Sequence, residues 1–235
     1  MMIILLALAP SLLFVLFFYL LDPNRKPLKV IGKVAVWSLV AFVPITAMVC
    51  LKMALHIEHW LPLDNSILLD FDHAFLRAAI PEEVGKLLAL WLFVRKCGDY
   101  FRAPYDGILY GACIGAIFGG LENIYYLGIG FPVVVRLLFS MPGHVMFALI
   151  LGYFFARIRL GESTWRNKVC MLLIPILFHG FWDFFLFMMR SDTFGTKGDI
   201  LLMLFVLVLF VFGLVYCVRL TRASRKNSVI TDNAI

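Results

Sequence analysis

Apolar runs of about twenty residues recur along the chain, separated by short polar stretches, and a run of that length is what a helix needs to cross the hydrocarbon of a bilayer. Candidate spans fall at about residues 2–21, 34–54, 73–94, 107–129, 133–156, 169–189 and 199–218. The composition agrees: 63% of the 235 residues are hydrophobic and 15% are charged. A soluble domain carries about 25% charged residues, so a soluble globule is excluded. The expected fold is an all-α polytopic membrane protein of about seven transmembrane helices, with spans three to six as its core bundle. Residues 1–218 read as one transmembrane domain with its core at about 73–189. Residues 219–235 read as a disordered polar cytoplasmic tail. The first run lacks a basic leading stretch and a small-residue cleavage site, so it is expected to stay as a span.

The formal net charge of +6 is explained by where the bases lie. Arg25, Lys26, Lys29 and Lys33 follow the first span; Arg95, Lys96 and Arg102 follow the third; Arg157, Arg159, Arg166 and Lys168 follow the fifth; Arg219, Arg222, Arg225 and Lys226 follow the seventh. The alternate loops carry Glu58, Asp64, Asp70, Asp72, Asp192 and Asp199 instead. The positive-inside rule then puts the basic loops and the C-terminus in the cytoplasm and the N-terminus outside. The lipid bilayer accounts for the charge, and no nucleic-acid partner is expected. Five scattered cysteines, without CxxC spacing, read as helix fillers rather than a zinc knuckle or disulfide framework. His56, Glu58 and His59 read as a solvated loop.

A charge at the centre of a span costs about 2.5–3.5 kcal/mol on insertion scales, so such groups are normally retained for function. Span three holds Arg77, Glu82, Glu83 and Lys86; span four holds Glu122; span five holds His144; span six holds His179 and Asp183. At about 1.5 Å rise per residue, the acids and histidines fall between the midplane and the outer third of the membrane. Helices running in alternating directions therefore bring them to one slab, as a shared polar site requires. Arg77, nearer the outer end, is expected to snorkel or to balance Glu82. Lys86 is one turn from both Glu82 and Glu83 and can neutralise one of them. His179 and Asp183 are also one turn apart, so the acid can orient the imidazole. Tyr125 and Tyr126 are placed to donate to Glu122. The excess negative charge requires protons or a divalent cation. Two imidazoles and a carboxylate suit zinc, and an unaided glutamate base with histidine oxyanion donors suits the residues equally. Gly107, Gly111, Gly115 and Gly119 form a ridge that admits a neighbouring helix.

Four motifs in order resemble the PrsW-type intramembrane proteases, relatives of the CAAX-prenyl-protease and bacteriocin-processing group. They are Glu82-Glu83-x-x-Lys86, Phe118-x-x-x-Glu122-Asn123-x-x-Tyr126, His144 followed by Gly152, and His179-x-x-x-Asp183. The resemblance covers spans three to six. It implies hydrolysis of a membrane-embedded or membrane-proximal protein or peptide, such as an anti-sigma factor, in a bacterial inner membrane. It also implies Glu82 or Glu83 as general base, Glu122, His144 and His179 as holders of water or of a Zn2+ ion, and Asp183 as orienter. Lys86, Asn123 and Tyr126 support them. The chain has no H-E-x-x-H zinc motif and no G-x-S-x-G serine motif. A proton- or cation-coupled transporter or channel using the same acids is the rival reading, and a non-catalytic scaffold is the third.

Overall fold

The computed structural model describes residues 2–57, 65–191 and 194–232. Glu58, His59, Asp64 and Asp192, to which loop roles were given above, lie outside the described residues. No strand occurs among the described residues. The helices are α1, Met2–Leu21; α2, Leu28–Leu55; α3, residues 66–97; α4, Pro104–Gly128; α5, residues 133–159; α6, Trp165–Arg190; and α7, Gly195–Asp232.

Six of these, all except α3, are long and apolar enough to cross a membrane by length and composition. Helix α3 is also long, but it carries Arg77, Glu82, Glu83 and Lys86, the charges that the sequence places in span three. It is built from three consecutive segments, Ser66–Phe71, a π-helical stretch Asp72–Ala79, and Ile80–Cys97. π-Helical backbone within helices is frequent at functional sites, and here it directly precedes Pro81, Glu82 and Glu83. A second such segment, Arg136–Ser140, precedes Pro142 and His144 in α5.

The bundle is organised around α4, of whose apolar window 78% is buried, against 17% for α1. The α4–α5 interface is the most extensive, and α1, α2 and α7 also pack on α4. The glycine ridge explains how α4 and α5 come so close. A Cβ on Gly107 would stand 2.2 Å from the carbonyl oxygen of Gly152, one on Gly111 2.3 Å from that of Ala148, and one on Gly115 2.3 Å from that of His144. Backbone therefore lies directly on backbone, which only hydrogen at the α-carbon permits.

The basic segments gather at one end. Lys26 Nζ pairs with Asp106 Oδ1 at 2.7 Å, joining the α1–α2 connection to the start of α4. Asp106 Oδ2 also accepts from the backbone N–H groups of Arg102 (2.6 Å) and Ala103 (2.9 Å), capping α4 behind Pro104 at its first turn. The polar segment expected to be a disordered tail continues α7 as helix to Asp232. Ser228 Oγ accepts from the Tyr105 N–H at 2.9 Å, and both Ser224 and Ser228 are buried. The reason is packing: small hydroxyl side chains let the last turns of α7 rest on the start of α4. The five cysteines are free.

Candidate active site

Glu82 and Glu83 sit in the first turns of Ile80–Cys97, next to Pro81, which has no N–H to donate and follows directly on the π-helical stretch. The two carboxylates reach different neighbours. Glu83 is fully buried, and its Oε1 accepts from Lys86 Nζ at 2.6 Å and from His179 Nδ1 at 2.8 Å. One carboxylate oxygen thus ties a one-turn neighbour on α3 to an imidazole on α6. Glu82 is 7% exposed. Its Oε2 is buried and has no hydrogen-bond partner. It lies 3.8 Å from each of Lys86 Nζ, His144 Nδ1 and His179 Nε2.

The partners of each imidazole assign its tautomer. Lys86 Nζ, always a donor, lies 3.2 Å from His144 Nδ1, so that nitrogen accepts and Nε2–H donates to Glu122 Oε2 at 2.8 Å. His179 donates from Nδ1 to Glu83 and turns Nε2 toward Glu82 and toward Asp183 Oδ2, which is 3.3 Å away. Each histidine therefore gives its outer N–H to a carboxylate and turns the other nitrogen to Glu82 Oε2. Aromatic rings close the sides: Phe147 stacks on His179 at 5.0 Å, and Phe118 packs edge-on against His144 at 5.2 Å while Lys86 Nζ lies 4.6 Å over its ring.

The structure thus gathers Glu82, Glu83, Lys86, Glu122, His144, His179 and Asp183 from α3, α4, α5 and α6. Three placements differ from the expectation. The ligand trio that converges contains Glu82 with His144 and His179, all buried with one donor atom each within 4.8 Å of the others. Glu122, expected in that trio, holds the far nitrogen of His144 instead. His179 is gripped by Glu83, ninety-six residues away and so beyond any local pattern, as well as faced by Asp183. Arg77 turns away to Asp72, its Nε 2.7 Å from Oδ2.

Arg136 is the residue that sequence reasoning missed. It lies inside the fifth apolar run, so the cost of an intramembrane charge was the available signal. Its guanidinium pairs with Glu122 Oε2, and its Nε donates to Asn123 Oδ1 at 2.7 Å. Tyr126 offers its ring face to Arg136, 4.2 Å from the guanidinium carbon, while Tyr125 is 65% exposed. With Arg77 engaged by Asp72, four carboxylates stand against Lys86 and Arg136, leaving an excess of two negative charges when both histidines are neutral.

The donor chemistry fits a divalent ion. One carboxylate oxygen and two imidazole nitrogens make up a common catalytic zinc ligand set, and each histidine has the carboxylate behind it that such sites use to fix the ring.

A family model described as PrsW family intramembrane metalloprotease matches residues 26–215. This chain belongs to the PrsW family. Curated proteins named Protease PrsW resemble it along much of its length. That of Oceanobacillus iheyensis is 27% identical over 226 residues, 94% of this chain and 95% of the relative. That of Bacillus subtilis is 30% identical over 184 residues, 76% of this chain and 79% of the relative. That of Geobacillus kaustophilus is 29% identical over 183 residues, 76% of each. No solved structure matches. The chain is an intramembrane protease of a bacterial membrane, and the PrsW match spans the four helices that carry the polar cluster.

Proposed function

We propose that this PrsW-family protease cleaves a peptide bond with water activated by Glu82. The observation that carries the reading is the position of Glu82 Oε2, buried, without a partner, and 3.8 Å from the inward-facing nitrogens of both histidines. That spacing is too long for direct hydrogen bonds and suits three groups acting on one small reactant. Each glutamate keeps a buried Oε2 without a partner, but Glu83 is held through Oε1 by Lys86 and His179 and so positions them, whereas Glu82 Oε2 faces both histidines and is free to take a proton from water and return it to the leaving nitrogen. In the metal-free site His179, protonated at both ring nitrogens between Glu83 and Asp183, donates from Nε2 to the oxyanion that forms on the attacked carbonyl. Lys86 holds the cluster's charge beside Glu83. Were a zinc ion held by Glu82, His144 and His179, it would supply Lewis-acid polarisation of the carbonyl in place of the His179 donor and balance the excess charge.

The substrate in this reading is a membrane protein of the anti-sigma-factor kind, cut near the outer surface. Two features support the side on which the cut falls. The basic segments share one end of the bundle, which the positive-inside rule makes cytoplasmic. The glutamates lie about fifteen residues before Cys97 at that end, roughly 22 Å along α3 and thus past the midplane. A helical substrate must unwind there, since peptide carbonyls in lipid are otherwise tied up in helix.

The test is reconstitution of the full chain in liposomes with a single-span substrate, reading the new N-terminus by mass spectrometry. Cleavage on the side away from the basic loops, absent with Glu82→Gln, is the expected result. Unchanged cleavage by a folded Glu82→Gln protein would remove Glu82 as the base.

A further inference from the structure

A second concavity lies far from the catalytic cluster, at the basic end, between the last turn of α3 and the last turn of α5. It has a volume of about 560 Å3. Arg95 and Lys96 line it from α3 and Arg159 from α5. None of the three forms an ion pair among the described residues. Arg95 instead lies over the ring of Trp91, 5.2 Å from its centroid. Asp99, also in the lining, contributes one negative charge, so the cavity keeps a net positive charge of two. Its inner wall is apolar, made by Trp91 and the buried Phe155.

The positive-inside rule accounts for bases at this end of the bundle. It does not require that bases from segments more than sixty residues apart face one cavity with only one acid among them. Three unpaired cations over an aromatic floor, at the level where a helix leaves the hydrocarbon, form the chemistry that takes a phosphate group with apolar substance beside it. Trp91 is 44% exposed, as suits a ring at the lipid–water boundary. We propose that this cavity binds a phosphate-bearing anion, the phosphate being that of an anionic phospholipid headgroup or of a free phosphate.

Native mass spectrometry of the full chain in detergent, titrated with phosphatidylglycerol, phosphatidylcholine or inorganic phosphate, tests the site. The expected result is saturable binding of one phosphatidylglycerol in preference to phosphatidylcholine, weakened about ten-fold or more in Arg95→Gln/Arg159→Gln. The control Arg219→Gln/Arg222→Gln, which removes two exposed bases elsewhere at the same end, keeps wild-type binding. Competition by inorganic phosphate identifies phosphate alone as sufficient; its failure to compete identifies the lipid as the source. Should the double variant unfold, Arg159→Gln and Lys96→Gln singly give the same readout, each a several-fold loss. Equal binding of the two lipids together with no phosphate binding overturns the proposal, as does an equal loss in the control.

Discussion

Glu122 offers one carboxylate oxygen, Oε2, to two partners at once: His144 Nε2 at 2.8 Å and the guanidinium of Arg136. Arg136 is in turn fixed by Asn123 and by the face of Tyr126. The arginine therefore sets the carboxylate that sets the imidazole, and Nδ1 of His144 is presented to Glu82 as a result.

Replacing Arg136 should consequently act on the reaction through that chain of contacts. Arg136→Gln is expected to lower kcat about 10–100-fold, the usual effect of losing a group that orients a catalytic histidine. Arg136→Lys should recover only part, because an ammonium cannot bond Glu122 and Asn123 in one plane while stacking on Tyr126. Cleavage rates of purified variants at saturating substrate give the measurement, and wild-type kcat in Arg136→Gln would exclude the arrangement.

The two adjacent glutamates should separate. Glu82→Gln is expected to lose activity by about 10²-fold or more while unfolding at nearly the wild-type temperature, since Glu82 Oε2 makes no hydrogen bond to lose. Glu83→Gln should lose activity and also stability, by about 3–5 kcal/mol, because it removes the charge that buried Lys86 is paired with and weakens the bond from His179. Thermal unfolding in detergent beside cleavage assays distinguishes them.

Zinc dependence is checked by elemental analysis and chelation. About one zinc per chain is expected, lost together in His144→Ala and His179→Ala, with cleavage falling on chelation and returning on zinc addition. Full activity in chelator, with no metal in the purified protein, would leave the glutamate and histidines to work unaided.

Backbone contact between α4 and α5 makes a packing prediction. Gly111→Val and Gly115→Val should each prevent accumulation of folded protein, since even their Cβ atoms would meet a carbonyl oxygen at 2.3 Å. Gly32→Ala, with open space around it on α2, should be tolerated or slightly stabilising, by about 0.5–1 kcal/mol. Yield of monodisperse protein on size-exclusion chromatography reports both.

Much of this arrangement was legible from residue pattern. Span periodicity located the helices, and the cost of buried charge singled out Glu82, Glu83, Lys86, Glu122, His144, His179 and Asp183. Spacing within a helix also foretold Lys86 beside Glu83 and His179 beside Asp183. Pairing across helices was not legible: nothing local says that Glu83 rather than Asp183 receives His179 Nδ1, or that Glu122 lies behind His144 rather than beside Glu82. The π-helical turn before Pro81 rotates the helix face and has no simple sequence signature. The helical end of α7 was hidden because its polar composition resembles a tail, while its stability comes from Ser224 and Ser228 settling on α4.

The glycine seam also bears on when the enzyme becomes active. Helices α4 and α5 are neighbours in the chain, joined by a short connection, and such a hairpin can close early because little chain entropy opposes it. It carries only Glu122, His144 and Arg136. Glu82, Glu83 and Lys86 arrive with α3, and His179 and Asp183 with α6, which is made last of the four. A half-built chain at the translocation machinery therefore holds an ion-paired fragment with no base facing a second histidine. In the proposed site, the base therefore faces its second histidine only once α6 has docked.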